Sequence, residues 1–259
     1  GAIQMDGQNA AAGVSVVPSA DVKLDTQAIM GRYSFNDNWS ATVGLRQAKL
    51  KASTVTTLAT EYAIDATSKT GMVYGLAYER PDIALKLEIL RSESISMALT
   101  GGTTVASGTL GIPESTTVNF QTGIAEDTLF MASAHKVSWS QSQIVVVGDN
   151  GAPNVGSAFS DTTSYSLGLG RKLNDATSVS LTYSWENGAG AAATSPFTMS
   201  NGSKTLSAGV KHKIDALTIS AGVSYTKVGD ALMTHASTLS ASYVGNSVTA
   251  FGLKVGYNF

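Results

Sequence analysis

The sequence predicts an all-β protein, an antiparallel transmembrane β-barrel, and three observations support this prediction. Apolar residues alternate with small polar residues at a period of two along most of the chain. Tight turns alternate with long loops between the resulting strands. Charged residues are scarce, yet no long apolar run compensates for them. Together these features favour strands that face lipid on one side and a polar interior on the other.

The composition is unusual for a soluble domain. Only 14% of the 259 residues are charged, against roughly 25% in soluble proteins. No segment approaches the ~20 consecutive apolar residues of a spanning helix, which excludes a helical membrane protein. The absence of cysteine excludes disulfides and thiolate zinc sites. A net charge of -2 excludes a broad basic surface for nucleic acid.

Two segments have the clearest alternation. Val179, Leu181, Tyr183 and Trp185 alternate with Ser and Thr, and residues 217–225 have the same pattern. Side chains at every second position share one face of a strand, so each segment has an apolar and a polar face. The pattern recurs at residues 39–45, 72–78, 83–89, 165–169, 206–210 and 251–259. We therefore expect about eleven strands of membrane-spanning length.

Turns and loops alternate strictly. Short segments with Asn or Asp indicate tight turns at residues 35–38, 79–82, 125–128, 173–176 and 213–216. Longer segments rich in Gly, Ser and Thr fall between them at residues 54–66, 94–114, 149–160, 187–202 and 229–244. A transmembrane meander has short periplasmic turns and long extracellular loops. A soluble β-sandwich also has alternating strands, but it has no reason to follow this turn rule.

Aromatic residues lie near the predicted strand ends, where the headgroup level of a bilayer favours them. They are Trp39, Tyr78, Trp139, Trp185, Tyr225 and Tyr257. Ordinary β-propensity is the alternative explanation. The last alternating run ends at Phe259, and a terminal aromatic residue resembles the signal read by the outer-membrane barrel-assembly machinery, which we expect as a partner.

An odd number of strands is informative. Bacterial single-chain barrels have even numbers of strands, because a closed sheet leaves no bare edge in lipid. We therefore expect either one miscounted strand or further strands before Gly1.

Eight short stretches follow one another in a specific order. They are Tyr78-Glu79-Arg80-Pro81-Asp82-Ile83-Ala84-Leu85, Pro113-Glu114-Ser115, Phe120-Gln121-Thr122-Gly123-Ile124-Ala125, Val137-Ser138-Trp139-Ser140, Tyr165-Ser166-Leu167-Gly168-Leu169-Gly170-Arg171-Lys172-Leu173-Asn174, Leu217-Thr218-Ile219-Ser220-Ala221-Gly222, Val228-Gly229-Asp230 and Val255-Gly256-Tyr257-Asn258-Phe259. In this order, from about Thr26 to the end, the chain resembles the FadL/TodX family of outer-membrane transporters of long-chain fatty acids and other hydrophobic compounds.

Family members are fourteen-stranded barrels with an N-terminal plug. The resemblance therefore implies that residues 1–259 form a single barrel domain in the bacterial outer membrane, with about 11 of 14 strands and without the plug and the first strands. It also implies a hydrophobic small molecule such as a long-chain fatty acid as ligand, and contact with outer-membrane lipid and lipopolysaccharide. The family's plug, its Asn-Pro-Ala signature and its early strands have no match, so no site residue is carried over.

Catalysis and metal binding have little support in the sequence. His135, His212 and His235 are scattered, without Cys or close carboxylates at metal-ligand spacing. A serine hydrolase with His135 as its base is the enzyme worth testing, but there is no Gly-x-Ser-x-Gly elbow. The Gly-x-Gly-x-x-Ala string at residues 188–193 leads into a Ser/Pro loop and fails as a dinucleotide fingerprint. We expect no enzyme activity, no metal and no cofactor.

Charged and amide side chains on the polar faces are the candidate functional residues. The alternation predicts that they face the lumen: Arg46, Lys86, Glu88, Asn119, Gln121, Lys211 and Lys254. The neighbouring strands that carry Lys211 and Lys254 could bind a carboxylate head group, because a buried charge must be paired or hydrated. The alternative is a set of solvated wall residues, as in any porin. The facing of residues 130–134 is ambiguous.

The sequence thus favours an outer-membrane channel for passive uptake of long-chain fatty acids or other small hydrophobic compounds. The loops at residues 100–112 and 189–199 carry little charge, which suits apolar capture but is equally typical of flexible surface loops. Two alternatives remain open, namely a structural or adhesive outer-membrane barrel and a general porin.

Overall fold

The structure is a computed structural model that describes residues 2–5, 19–56, 61–100, 107–147, 153–155, 157, 159–188, 200–235 and 239–257. The strands of this part are β1 (Ala2–Met5), β2 (Ser19–Ser34), β3 (Trp39–Leu50), β4 (Ser53–Thr56), β5 (Glu61–Ile64), β6 (Thr67–Arg80), β7 (Leu85–Ser92), β8 (Ile95–Leu99), β9 (Ser107–Ile112), β10 (Ser115–Ala125), β11 (Thr128–Val137), β12 (Val145–Val147), β13 (Pro153–Val155), β14 (Thr162–Lys172), β15 (Thr177–Asn187), β16 (Gly202–Ile214), β17 (Leu217–Val228), β18 (Ala231–His235), β19 (Leu239–Tyr243) and β20 (Ser247–Tyr257). Single-turn 3-10 helices lie at Pro81–Ile83 and Trp139–Gln141. Within these ranges, no helix has the length and apolar character needed to cross a membrane.

Eleven long strands form one continuous antiparallel sheet. Their order is β2-β3-β6-β7-β10-β11-β14-β15-β16-β17-β20, so each long strand pairs with the next long strand along the chain. Their lengths run from 8 residues in β7 to 16 residues in β2. The predicted meander of about eleven strands is confirmed.

The five predicted tight turns are all present at one end of this sheet, and Asn or Asp side chains explain four of them. Asn36 and Asn174 each accept hydrogen bonds from the backbone N–H groups two and three residues later, at 2.8–3.0 Å. Asp127 and Asp215 take the left-handed backbone conformation, with φ of 56° and 50°. Short polar side chains tolerate that conformation or replace a backbone hydrogen bond. At the fifth turn, Ala84 takes this conformation with φ of 51°.

The opposite end of the sheet holds strands that the alternation did not predict. β4 and β5 extend the ladder of β2, β8, β9, β12 and β13 form a four-stranded sheet, and β18 pairs with β19. A buried apolar cluster lies at this end, formed by Ala48, Leu50, Ile64, Ile95, Met97 and Leu99. The long loops expected at residues 54–66 and 94–114 therefore contain strands, and the second segment buries the alternate side chains of Ile95, Met97 and Leu99. Most of the loop expected at residues 187–202 lies outside the described residues.

One face of the eleven-stranded sheet is covered by large apolar side chains, and we call it the apolar face. Leu167, Tyr183, Leu206 and Tyr225 lie side by side on four neighbouring strands of this face. They and Phe251 of β20 are between 41% and 83% exposed, so no sheet formed by the described residues packs on them. Soluble monomers rarely expose a contiguous apolar patch beyond ~300–600 Å². The exposure contradicts a soluble sandwich and fits strands solvated by acyl chains.

Aromatic pairs lie at both ends of the apolar face, as the sequence predicted. Near the tight turns, the rings of Trp39 and Tyr78 are 4.9 Å apart. Near the long connections, the ring of Trp185 stacks on Tyr165 at 5.3 Å and on Tyr183 at 5.6 Å. Such girdles are typical of the two interfaces of a membrane barrel.

The register resolves the ambiguous facing in β11. Phe130 pairs with Leu169 on the apolar face, whereas Met131 and Ser133 pair with Gly168 and Ser166 on the opposite face. The alternation is therefore intact in β11, although a methionine on the polar side obscures it in the sequence.

The two ends of the eleven-stranded sheet are β2 and β20. β20 pairs with β17 along one side, and β2 pairs with β3 and, near its start, with β1. Within the described residues no ladder joins β2 to β20, so these strands by themselves do not close a ring.

We expect Gly75→Ala to destabilise the protein, because a Cβ at this position clashes with the carbonyl oxygen of Ile89 and lies 3.0 Å from the Cα of Leu90. Overpacking against backbone typically costs about 1–3 kcal/mol. Gly170→Ala is the control, since its Cβ meets no heavy atom closer than 3.9 Å. The temperature at which the folded band disappears on an SDS gel measures the effect; equal midpoints for both variants contradict the packing seen around β6 and β7.

Candidate functional site

All seven predicted lumen-facing residues lie on the face opposite the apolar face, which we call the polar face. Cross-strand pairing places Glu88 opposite Asn119 and Lys86 opposite Gln121. When the cross-strand pairs are followed from strand to strand, all seven residues lie on the same face: Arg46, Lys86, Glu88, Asn119, Gln121, Lys211 and Lys254. Their contact with a ligand stays a prediction.

An ion-pair network joins part of this set near the tight turns. The Glu79 carboxylate binds the Arg32 guanidinium, and its Oε1 lies 3.3 Å from the Lys86 Nζ. The Lys86 Nζ is also 3.9 Å from the Glu88 Oε1, and the Asn119 amide donates to the Glu88 Oε2 at 3.3 Å. The charges that sequence reasoning selected here are therefore compensated by neighbours.

Sequence reasoning missed Arg32 and Glu79, which are central to this network. Both lie on the polar face, two residues before the end of β2 and one residue before the end of β6. Their positions follow the same alternation as Arg46 and Lys86. The alternation was therefore sufficient to place Arg32 and Glu79 on the polar face. They were missed because they lie so close to the turns.

Arg46 lies at the other end of the polar face. Its Nη2 donates to the backbone carbonyl oxygen of Glu93 at 3.0 Å, while its buried Nε has no partner among the described residues. Arg46 is thus fixed beside β8 and does not join the network of Lys86.

Lys211 and Lys254 do come together. Both pair with Ser220 of the strand between them, β17. Within the described ranges neither ammonium has an ion pair. The nearby Lys172, on the same row, binds Asp175 of the adjacent turn at 2.7 Å. The polar face therefore presents two uncompensated positive charges about two strand spacings apart, roughly 10 Å.

Three hollows open on the polar face, which is accordingly the concave side of the sheet. The largest has a volume of about 640 Å³, and the other two have volumes of about 460 Å³ and 400 Å³. The largest is lined mainly by small residues such as Gly170, Ser180 and Gly209, with Leu129 and Lys211 at its wall. Small side chains leave room for a ligand, and the apolar wall with a lysine suits an amphipathic molecule.

Hydroxyl groups of the polar face satisfy one another across strands. Ser184 donates to Ser166 at 3.0 Å, and Thr205 and Thr226 are 2.8 Å apart. In each of these pairs the two hydroxyls satisfy one another.

Two histidines bond to threonine hydroxyls across strands, His135 on the polar face and His212 on the apolar face. His135 Nδ1 is hydrogen-bonded to Thr117 at 2.7 Å, and His212 Nδ1 to Thr177 at 2.8 Å. In the part of the chain that the structure describes, no group of three or more His, Asp or Glu residues could hold a metal ion.

At the turn end, local ion pairs join the last residue of a strand to the turn that follows it. The guanidinium of Arg80 lowers the pKa of Asp82, and the ammonium of Lys172 lowers the pKa of Asp175. A lowered carboxyl pKa stabilises the fold above the unfolded pKa, and this contribution is lost as the pH falls through the folded pKa. Both carboxylates are fully exposed, so the turns stay charged at neutral pH without much effect on stability.

Comparison with solved structures gives several similar folds. A Pseudomonas aeruginosa FadL homologue superposes with a TM-score of 0.69 at 13% identity, over 92% of this chain and 66% of that chain. The Ralstonia pickettii toluene transporter TbuX gives 0.57 at 11% identity, over 95% and 71%. The ferric-catecholate import receptor Fiu of E. coli K12 gives 0.53 at 12% identity, over 93% and 45%. No protein-family model matches the sequence, and comparison with curated proteins gives no relative.

These likenesses and the two-faced sheet define the class: the chain has the fold of an antiparallel transmembrane β-barrel. Within this class it has the FadL-type arrangement of strands, which confirms the fold that the sequence resemblance predicted. The chain spans slightly less than two thirds of the FadL homologue, and at such low identity the comparisons establish the fold alone. Fiu, an import receptor, is similar too, so the fold leaves the ligand open.

We expect Glu79→Gln to lower stability by at most about 1 kcal/mol, because it leaves the Arg32 and Lys86 cations beside a neutral amide. Thermal unfolding in detergent at low salt measures the loss, which should shrink in 1 M salt as screening weakens the remaining repulsion. Glu126→Gln in the β10–β11 turn is the control, since the structure gives Glu126 no ion pair among the described residues. A loss that is independent of salt would exclude an electrostatic role for Glu79.

Proposed function

We propose that this chain forms the wall of a FadL/TodX-type channel in the bacterial outer membrane and passes small hydrophobic molecules inward by diffusion. The observation that carries the proposal is the pairing of an exposed apolar face with a concave polar face whose largest hollow is about 640 Å³. Lipid solvates the first face, and the second encloses the path.

The barrel requires further pairing. An unpaired strand edge in hydrocarbon costs several kcal/mol per backbone group, and β2 and β20 each have one long edge without a partner in the described part of the chain. Residues 1–259 therefore form one barrel domain whose ring is completed by additional strands, as the resemblance implies, with a plug as the gate.

The hollows support an amphipathic ligand. Leu129 lies at the wall of the largest hollow together with Lys172 and Lys211, so an alkyl chain finds an apolar contact and a carboxylate finds an ammonium. TbuX is described as a toluene transporter, which supports a hydrophobic ligand class. A long-chain fatty acid combines both chemistries, and we propose it as the substrate. With the outer-membrane location we also propose that the barrel-assembly machinery recognises Phe259 and that the barrel contacts lipopolysaccharide.

A general porin is the second candidate, because the network of Arg32, Glu79, Lys86 and Glu88 gives the polar face a hydrated, charged zone. Catalysis has no support from the comparisons, which contain a toluene transporter and an import receptor.

We expect cells that lack the gene to take up a labelled long-chain fatty acid several-fold more slowly than cells that carry it. The protein reconstituted in a planar bilayer should give no large steady conductance, because a plugged path excludes ions. Unchanged uptake after gene loss removes the transport proposal. A steady conductance with normal ion flux would instead support the porin.

We expect the double variant Lys211→Ala/Lys254→Ala to raise the half-saturating concentration of a long-chain fatty acid several-fold, because a charge-assisted contact to the carboxylate is lost. Uptake of an uncharged hydrocarbon such as toluene should stay unchanged. Lys49→Ala is the control, since Lys49 lies on the apolar-face side of β3. Equal effects on the fatty acid and the hydrocarbon would show that these lysines do not bind a carboxylate.

A further inference from the structure

Two lysines lie directly opposite each other on the apolar face. Lys204 of β16 pairs with Lys227 of β17, and both side chains are exposed. Directly opposed residues on an antiparallel pair have Cβ atoms about 4.5–5.5 Å apart, and like charges at this distance are destabilising. We call Lys204 and Lys227 the lysine pair.

Nothing in the described part of the chain compensates the lysine pair. No ion pair involves either ammonium there. The neighbouring Glu186 lies on the polar face and accepts a hydrogen bond from Ser164 at 2.9 Å. Asp230 accepts the backbone N–H of Gly245 at 2.9 Å. The lysine pair therefore holds an unmatched double positive charge on a face that is covered mainly by large apolar side chains.

An aromatic stack adjoins the lysine pair. Trp185 pairs directly with Lys204 on one side and with Tyr165 on the other. The Trp185 and Tyr165 rings are 5.3 Å apart with an interplanar angle of 23°. Trp and Tyr at the end of an apolar band lie at the headgroup level of a membrane.

The position of the lysine pair along the strands matches that level. About ten residues of β16 separate Lys204 from Ile214 at the tight-turn end. At ~3.4 Å per residue and a tilt of ~40°, this length rises roughly 26 Å, which is the ~25 Å height of the apolar band of an outer-membrane barrel. The lysine pair thus lies at the upper edge of the band, on the side of the long connections.

We propose that the lysine pair and Trp185 form a binding site for the phosphate of lipid A, the phosphorylated glycolipid of the outer leaflet. Ammonium groups bind phosphate as point charges, and a phosphate between two opposed lysines replaces their repulsion with two attractions. The acyl chains of the lipid then contact Leu206 and Tyr225. These are the next residues on the apolar face in the direction of the tight turns. This inference rests on the proposed membrane location and does not use transport.

The test uses the purified full chain in a neutral detergent, with native mass spectrometry to measure bound lipid. The probes are diphosphoryl lipid A and the same lipid without its phosphates. Lys204→Ala/Lys227→Ala should bind diphosphoryl lipid A about tenfold more weakly than the wild type and should bind the dephosphorylated lipid equally well. Lys204→Arg/Lys227→Arg, which retains both charges, should keep most of the binding.

Lys69→Ala/Lys213→Ala is the matched control, because it removes the same charge from the polar face. The proposal is overturned if the lysine-pair variant binds lipid A like the wild type, if the control loses as much, or if the wild type binds the dephosphorylated lipid or phosphatidylglycerol as tightly as lipid A.

Thermal unfolding gives an independent readout. Without lipid A, Lys227→Ala should unfold at a higher temperature than the wild type, since the repulsion is removed; with lipid A the order should reverse. If Lys227 has only a structural role, Lys227→Ala should lower the unfolding temperature both with and without lipid A. That result would contradict the site. If the wild-type protein binds lipid A but does not support fatty-acid uptake, only the transport proposal is refuted. If it supports uptake but does not bind lipid A, only this site is refuted.

Discussion

Backbone hydrogen bonding is the constraint on which the rest of this structure depends. In hydrocarbon every N–H and C=O group must find its partner inside the protein, because no water is available. Between its two edge strands, the eleven-stranded sheet meets this requirement through pairing with neighbouring strands. For example, β16 and β17 are paired at every position from Ser203 to Ile214. The register is irregular near Gly123, beside a turn. A ladder of this regularity fixes which side chains point to which face.

Once the ladder is fixed, the two faces can meet two different environments. Leu206 and Val210 alternate with Ser207 and Gly209 along β16, so neighbouring positions separate lipid contact from the concave side. On the concave side, small residues leave hollows, and the charged residues collect near the two ends. The same alternation therefore produces both the apolar face and the polar face with its hollows.

The site could be predicted in part. The alternation of apolar and polar positions along each strand, or parity, assigned Lys211 and Lys254 to one face. The register makes both of them neighbours of Ser220. Parity could not reveal that Glu79 joins Arg32 to Lys86, because Arg32 and Glu79 are 47 residues apart in sequence and meet only through strand pairing. Nor could it separate Arg46, which hydrogen-bonds to the backbone of Glu93, from the other charges.

The sequence by itself determined the number of long strands, the tight turns and the two faces, because each depends on local chemistry: a period of two, Asn and Asp side chains at turns, and scarce charge. Only the tertiary structure decided the sheet built by β8, β9, β12 and β13, the ion pairs across strands and the opposition of Lys204 and Lys227. These features depend on which strands are neighbours and in what register, and that arises from the cooperative pairing of the whole sheet.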